Sequence, residues 1–318
     1  MIQRTILGTA LVLMIIITVL AVFFVSSTLA GGQALSMSEM LAPTPTPTLP
    51  PTPTPTPSPT PLPPTATPTP PPFISGAAAY VIDADTNRVL YQMNGFQQLP
   101  IASTTKIMTA IVAIENGNLD QGITVEQSEL DEVPSGSSSA GLVAGDYFRL
   151  HTLLYALMLR SGTDASIVIA HTIAGSTANF VAMMNQKAQQ LQLTHTHFNS
   201  PHGFDGNSHY SSAADLVKLA NYAMRNAVFA QIVGQRVYDI SPTLYTHKYH
   251  WENTNSLLFT YQGADGVKTG FTNNAGVCLV FSARRNGHHL IGAELHASSY
   301  EDAFDDGTRL LDLGFSKV

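Results

Sequence analysis

The sequence predicts an α+β fold, in which an antiparallel sheet drawn from both ends of the globular part is flanked by helices and carries an inserted all-helical lobe. Strand-like segments cluster before residue 95 and after residue 235, and the stretch between them carries the periodicity of helices. A second observation fixes the strand sense. Asn286-Gly287 lies between two late apolar segments, a type I′ hairpin signal that requires antiparallel neighbours.

The elements follow in order. Ala79-Tyr80-Val81-Ile82 reads as one strand, Asp83 to Asn87 as a turn and Arg88-Val89-Leu90-Tyr91 as the returning strand. From Thr104 the pattern becomes helical, with Ile107, Ala110, Ile111 and Ile114 on one face and Gly117 beyond the end, so Ser103 is expected at the N-cap or first turn. Further helices are expected at 149–160, 164–174, 177–191 and 211–226, the last opening on Ser211-Ser212 with Asp215 as a capping signal. Arg236 to Ile240, Gly266 to Thr272, Val277 to Arg284 and His288 to Leu295 read as strands, and Tyr300 to Leu313 as an amphipathic terminal helix.

Three zones divide the 318 residues. Within residues 1–30, Ile6 to Val25 is an uncharged apolar run of about 20 residues, long enough to cross a bilayer as a helix. Arg4 precedes it and no Lys or Arg follows until Arg88, which places the remainder outside the cytoplasm. A retained membrane anchor is the expectation; Thr28-Leu29-Ala30 before Gly31 keeps open a cleaved secretory signal. Residues 31–72 contain a Pro/Thr stretch with 16 of the 20 prolines, which cannot form helix or sheet and is expected to extend on the order of 90 Å as a spacer. Residues 73–318 form the globular domain.

Composition excludes several classes. A net charge of −7 without any basic run argues against nucleic acid as a partner. The single cysteine, Cys278, excludes an internal disulfide, and its apolar neighbours Val277 and Leu279 mark it as a buried strand residue. His195, His197 and His202 fall in a loop-like run without the H-E-x-x-H arrangement, so no metal or other cofactor is expected.

Three short motifs carry chemistry. In Ser103-Thr104-Thr105-Lys106, a spacing of three on a helix sets an amine beside a hydroxyl. A serine needs such a base, and lysine serves only when neutral, so burial and a second cation must lower its pKa. Lys268 is the candidate second cation. Ser161-Gly162-Thr163 can deliver a hydroxyl into a cleft, although its plainer reading is a C-cap glycine followed by a new N-cap. Lys268-Thr269-Gly270 precedes Phe271 on a strand, where the glycine would let a substrate backbone approach and the lysine and threonine would hold a carboxylate. Each motif alone has a structural explanation. Together, in this order, they are the equipment of a serine acyl-transfer enzyme.

From about Ala77 to Val318 the chain resembles the low-molecular-weight penicillin-binding proteins, the serine D-alanyl-D-alanine carboxypeptidases of the S11 peptidase family. The resemblance extends to Leu99-Pro100-Ile101-Ala102, Thr196-His197-Phe198, Pro201-His202-Gly203 and Gly263-Ala264-Asp265-Gly266-Val267. It implies a β-lactamase/transpeptidase-like fold, Ser103 as acylated nucleophile, Lys106 as base and Ser161 as proton relay. It further implies Lys268 and Thr269 as carboxylate binders beside Gly270, and backbone N–H groups of Ser103 and Phe271 as the oxyanion hole. The partners implied are peptidoglycan stem peptides ending in D-Ala-D-Ala, β-lactams as covalent inhibitors and, through the N-terminus, the membrane. Thr163 departs from the family's asparagine and places substrate grip in doubt. The family's frequent C-terminal β-rich domain and amphipathic tail are not expected here, which leaves anchoring to the N-terminal segment. A class A β-lactamase would carry a deacylating glutamate between the second and third motifs, and Glu252 is too near Lys268 for that role. A non-catalytic wall-binding module and a DD-endopeptidase remain the alternatives.

Overall fold

The computed structural model describes residues 73–204 and 206–318. The expected anchor and the Pro/Thr spacer lie outside the described residues. Strands β1 (Ala78–Asp83) and β2 (Val89–Met93) open the domain. The helical region follows as α1 (Lys106–Asn116), α2 (Gln127–Asp131), α3 (Leu150–Leu159), α4 (Thr163–Ala174), α5 (Thr177–Gln190), α6 (Ala213–Met224) and α7 (Ala227–Gly234). Short strands β3 (Gly122–Thr124) and β4 (Tyr147–Arg149) pair within it, and β5 (Val237–Ile240) pairs with β6 (Tyr249–Glu252) after it. Helix α8 (Leu257–Thr260), strands β7 (Ala264–Thr272), β8 (Gly276–Arg285) and β9 (His288–Ala297), and helix α9 (Tyr300–Phe315) complete the chain.

The main sheet runs β2-β1-β9-β8-β7 with every neighbour antiparallel, so both ends of the domain build it as expected. Asn286 and Gly287 both take positive φ, 52° and 84°, the conformation a type I′ turn requires. Strands β8 and β9 are apolar on successive residues because both faces of the sheet are covered. Cys278, Val280 and Ile291 face the helical lobe, and Leu279, Phe281 and Leu290 pack with Leu310 and Leu311 of α9.

The expected strand at Arg236 to Ile240 exists but stands outside the main sheet, paired only with β6. Helix α6 begins two residues later than expected. Ser212 is its cap, accepting from Asp215 N. Helix α1 is the hub of the lobe, with its first eight residues buried. That explains how a lysine at its first position can be wholly removed from water.

Candidate active site

Ser103 sits in a 3₁₀ turn over Ala102–Thr105 rather than in a capping position, and the residue that caps α1 is Thr105, which makes no side-chain cap. The difference has a local cause. Thr104 and Thr105 donate their hydroxyls to the carbonyls of Ile101 and Ala102 at 2.7 and 2.8 Å, which tightens the chain before the α-helix begins. Ser103 is left half-buried at the edge of a cleft of 380 Å³.

Lys106 Nζ lies 2.9 Å from Ser103 Oγ and donates to the carbonyl of His202 at 3.0 Å. The side chain is 0 % exposed. Burial lowers its amine well below the ordinary lysine value, the charge of Lys268 lowers it further, and Asp164 partly offsets both. One turn along α1, Thr109 Oγ1 donates to Pro201 O at 2.6 Å, so the same helix holds the Pro201-His202 backbone twice. The His202 ring is held down to about 3 by burial, with Lys106 and His209 adding to the shift, and is therefore neutral.

The second motif is not a glycine C-cap. Arg160 ends α3 in the ordinary helical conformation, Ser161 takes the left-handed one (φ 57°), and Gly162 begins α4 with φ −60°. The strained residue is thus the serine, whose Oγ is buried and has no partner among the described residues. A serine-rich loop holds it there. Ser138 Oγ donates to Ser161 O at 2.6 Å, and Thr163 N donates to Ser138 O at 2.9 Å. Asp164 accepts from Ser139 Oγ and from the backbone N–H groups of Ala140 and Leu142.

The third motif lies on β7. Lys268 is 1 % exposed, donates to Thr269 O at 3.0 Å, and is held down to about 7 by burial. Thr269 Oγ1 lies 2.6 Å from Thr254 Oγ1. Gly270 lines the cleft and has a packing task as well. A Cβ there would come within 2.7 Å of Ser103 N and 3.0 Å of Thr104 N, so glycine lets the strand pack against the turn that carries Ser103. Phe271, half exposed, stands at the cleft and packs on Tyr300 at 6.3 Å between ring centres.

Ser103, Ser161, Thr163, Thr269, Gly270 and Phe271 therefore line one cleft, with Lys106 and Lys268 buried behind it. A hydroxyl beside a buried, pKa-lowered amine is equipped for nucleophilic attack. A second free hydroxyl is available to pass a proton. The sequence alone did not reveal the His202 carbonyl, the loop 135–139 with Asp164, Thr254 or Arg160 as parts of this wall. Each arrives through tertiary closure, and only the run Ser137-Ser138-Ser139 offered a compositional hint. A larger hollow of 520 Å³ shares only His202 with the cleft and holds none of the motif residues. His195 and His197 lie outside the cleft.

The family profile described as D-alanyl-D-alanine carboxypeptidase, peptidase S11, matches residues 65–299. The chain belongs to this family. The S11 chain is 36 % identical over 258 residues to the D-alanyl-D-alanine carboxypeptidase of Streptomyces sp. strain K15, covering 77 % of this chain and 89 % of that one. It is 35 % identical over 244 residues to the D-alanyl-D-alanine carboxypeptidase DacF of Bacillus subtilis, covering 76 % of this chain but only 62 % of DacF. The crystal structure of the Streptomyces K15 DD-transpeptidase superposes with a TM-score of 0.74 at 36 % identity, over 78 % of this chain and all of that one.

Proposed function

We propose that this protein is a serine D-Ala-D-Ala carboxypeptidase that removes the terminal D-alanine from peptidoglycan stem peptides. The observation that carries this reading is the 2.9 Å contact between Ser103 Oγ and a fully buried Lys106 amine held below its ordinary pKa. The neutral amine takes the proton of Ser103 as Oγ attacks the penultimate carbonyl carbon. Backbone N–H groups of Ser103 and Phe271 receive the developing oxyanion. The peptide C–N bond then breaks, Ser161 relays the proton from Lys106 to the departing D-alanine nitrogen, and an ester remains on Ser103 beside an amine that is neutral again. Water, losing a proton to Lys106, attacks the ester carbon; the acyl C–Oγ bond breaks, Lys106 returns the proton to Ser103 Oγ, and the shortened peptide is freed. Lys268 and Thr269 hold the terminal carboxylate, and Thr163 meets the peptide where the family places asparagine.

The reading puts the domain outside the cytoplasm, at the end of the Pro/Thr spacer and tethered by the N-terminal apolar run. A β-lactam would acylate the same hydroxyl. One relative is named both a carboxypeptidase and a DD-transpeptidase, which favours transfer of the acyl group to an amine as a second outcome at the same serine.

Labelling with a fluorescent penicillin tests the reading. Wild-type protein should be labelled covalently, and Ser103→Ala should not. Equal labelling of the two would remove Ser103 as the nucleophile. Product analysis on a D-Ala-D-Ala peptide, with and without an added amine, separates hydrolysis from transfer.

A further inference from the structure

One cation in the cleft has no part in the chemistry above. Arg160 follows α3, is exposed, and lines the same cleft as Ser103. Arg149, Arg284 and Arg309 pair with Asp120, Asp265 and Asp306, whereas Arg160 makes no ion pair among the described residues. The chain carries 22 Asp and Glu against 15 Lys and Arg, yet no carboxylate side chain is among the described residues that line this cleft. Among the described lining residues, the one ordinarily charged side chain is thus a guanidinium.

The backbone fixes where that guanidinium starts. The carbonyl of Leu159, the residue before Arg160, accepts from Thr254 N at 3.2 Å. Thr254 Oγ1 in turn lies 2.6 Å from Thr269 Oγ1. Arg160 thus emerges beside the hydroxyl pair at the carboxylate-binding end of the cleft. The other cation there, Lys268, is buried, already donates to Thr269 O, and is lowered by burial from the ordinary lysine value. An arginine remains charged at every relevant pH and offers two parallel donors to a carboxylate.

We infer that Arg160 is a specificity residue of this enzyme, supplying the permanent positive charge that recognises the substrate's terminal carboxylate beside Thr254 and Thr269. The inference rests on the D-Ala-D-Ala carboxypeptidase reading and extends it to a residue outside the three motifs.

The test uses the full chain with Arg160→Gln and Arg160→Lys, and an acyl-D-Ala-D-Ala peptide as free acid and as C-terminal amide. Rates are taken per site titrated to completion by penicillin, so a misfolded fraction drops out. The ratio of kcat/KM on acid to that on amide should fall about 3- to 10-fold in Arg160→Gln, and Arg160→Lys should recover part of it. The wild-type ratio should also shrink as salt is raised. An unchanged ratio, or equal loss on both peptides, overturns the inference and leaves the acyl-enzyme intact. A loss that follows an acidic residue upstream of the scissile bond, tested with a peptide carrying one, also overturns it. Wild-type protein that penicillin does not titrate overturns the underlying reading, and the inference falls with it.

Discussion

Lys106 is held below its ordinary pKa first by burial and then by the charge of Lys268. Removing that charge makes protonation of Lys106 easier, so Lys268→Ala should raise the Lys106 pKa. Because Lys106, as the proposed base, works only when neutral, the acid limb of the pH–kcat/KM profile should move to higher pH. An amide-terminated peptide isolates this effect from carboxylate binding, and an acid limb that stays put or moves down would disprove the coupling. Thr163 offers a second test. It is 2 % exposed on the cleft wall and supplies one hydroxyl on a stiff, β-branched stem where asparagine would give two donors and an acceptor. Thr163→Asn should raise kcat/KM on D-Ala-D-Ala peptides about 2- to 13-fold, the worth of one recovered hydrogen bond of roughly 0.5–1.5 kcal/mol. A flat or lower rate would show that neighbours such as Asp164 already compensate. The eight expected site residues come from local patterns, and the structure brings them to one cleft, six on its wall and two lysines buried behind it. The His202 carbonyl and Thr254 were not legible in that way, since their roles exist only after distant segments close on α1 and β7.

At the scale of elements, the packing of β7 on the 3₁₀ turn sets the geometry of Ser103, the proposed nucleophile. Gly270→Ala would set a Cβ 2.7 Å from Ser103 N, a backbone atom that cannot rotate away. Overpacking of this kind costs about 1–3 kcal/mol, so the domain should still fold. A shift of the turn by a fraction of an ångström should nevertheless slow acylation by penicillin about 10- to 100-fold, measured beside a thermal melt. Acylation at the wild-type rate would mean that the strand does not position Ser103. The elements themselves differ in how far sequence reveals them. Helix α5 and the β8–β9 hairpin have sustained periodicity or a defined turn, and both fall where expected. Helix α7 is eight residues long and carries the apolar pair Ile232 and Val233, too short for periodicity to separate helix from strand. The 3₁₀ turn escapes for another reason, because threonine hydroxyls bonding back to carbonyls leave no periodic trace.

For the whole domain, the sheet and α9 meet the start of the described chain at a pair of buried carboxyl groups. Glu294 of β9, fully buried, accepts from Gly76 N at 2.8 Å, and Asp306 of α9 accepts from Ser75 N at 2.6 Å and from Arg309 at 2.7 Å. Burial, reinforced by the neighbouring Asp306 carboxylate, pushes Glu294 from 4.5 up to about 9. The folded protein therefore keeps a proton on Glu294 that the unfolded chain releases above its ordinary value. Between those two values the folded state binds more protons, so this group's contribution to stability is full below the unfolded value and is lost as pH rises toward 9. Gln has the shape of the protonated acid, keeps an acceptor for Gly76 N, and does not titrate. Glu294→Gln should match the wild-type Tm near pH 4 and exceed it by several degrees at pH 9, at roughly 2–4 °C per kcal/mol for a domain of this size. The slope of Tm against pH across that interval should flatten in the same variant. A variant that melts lower at pH 9, or keeps the wild-type slope, would show that Glu294 is ionised in the folded domain and that its partners already satisfy the charge.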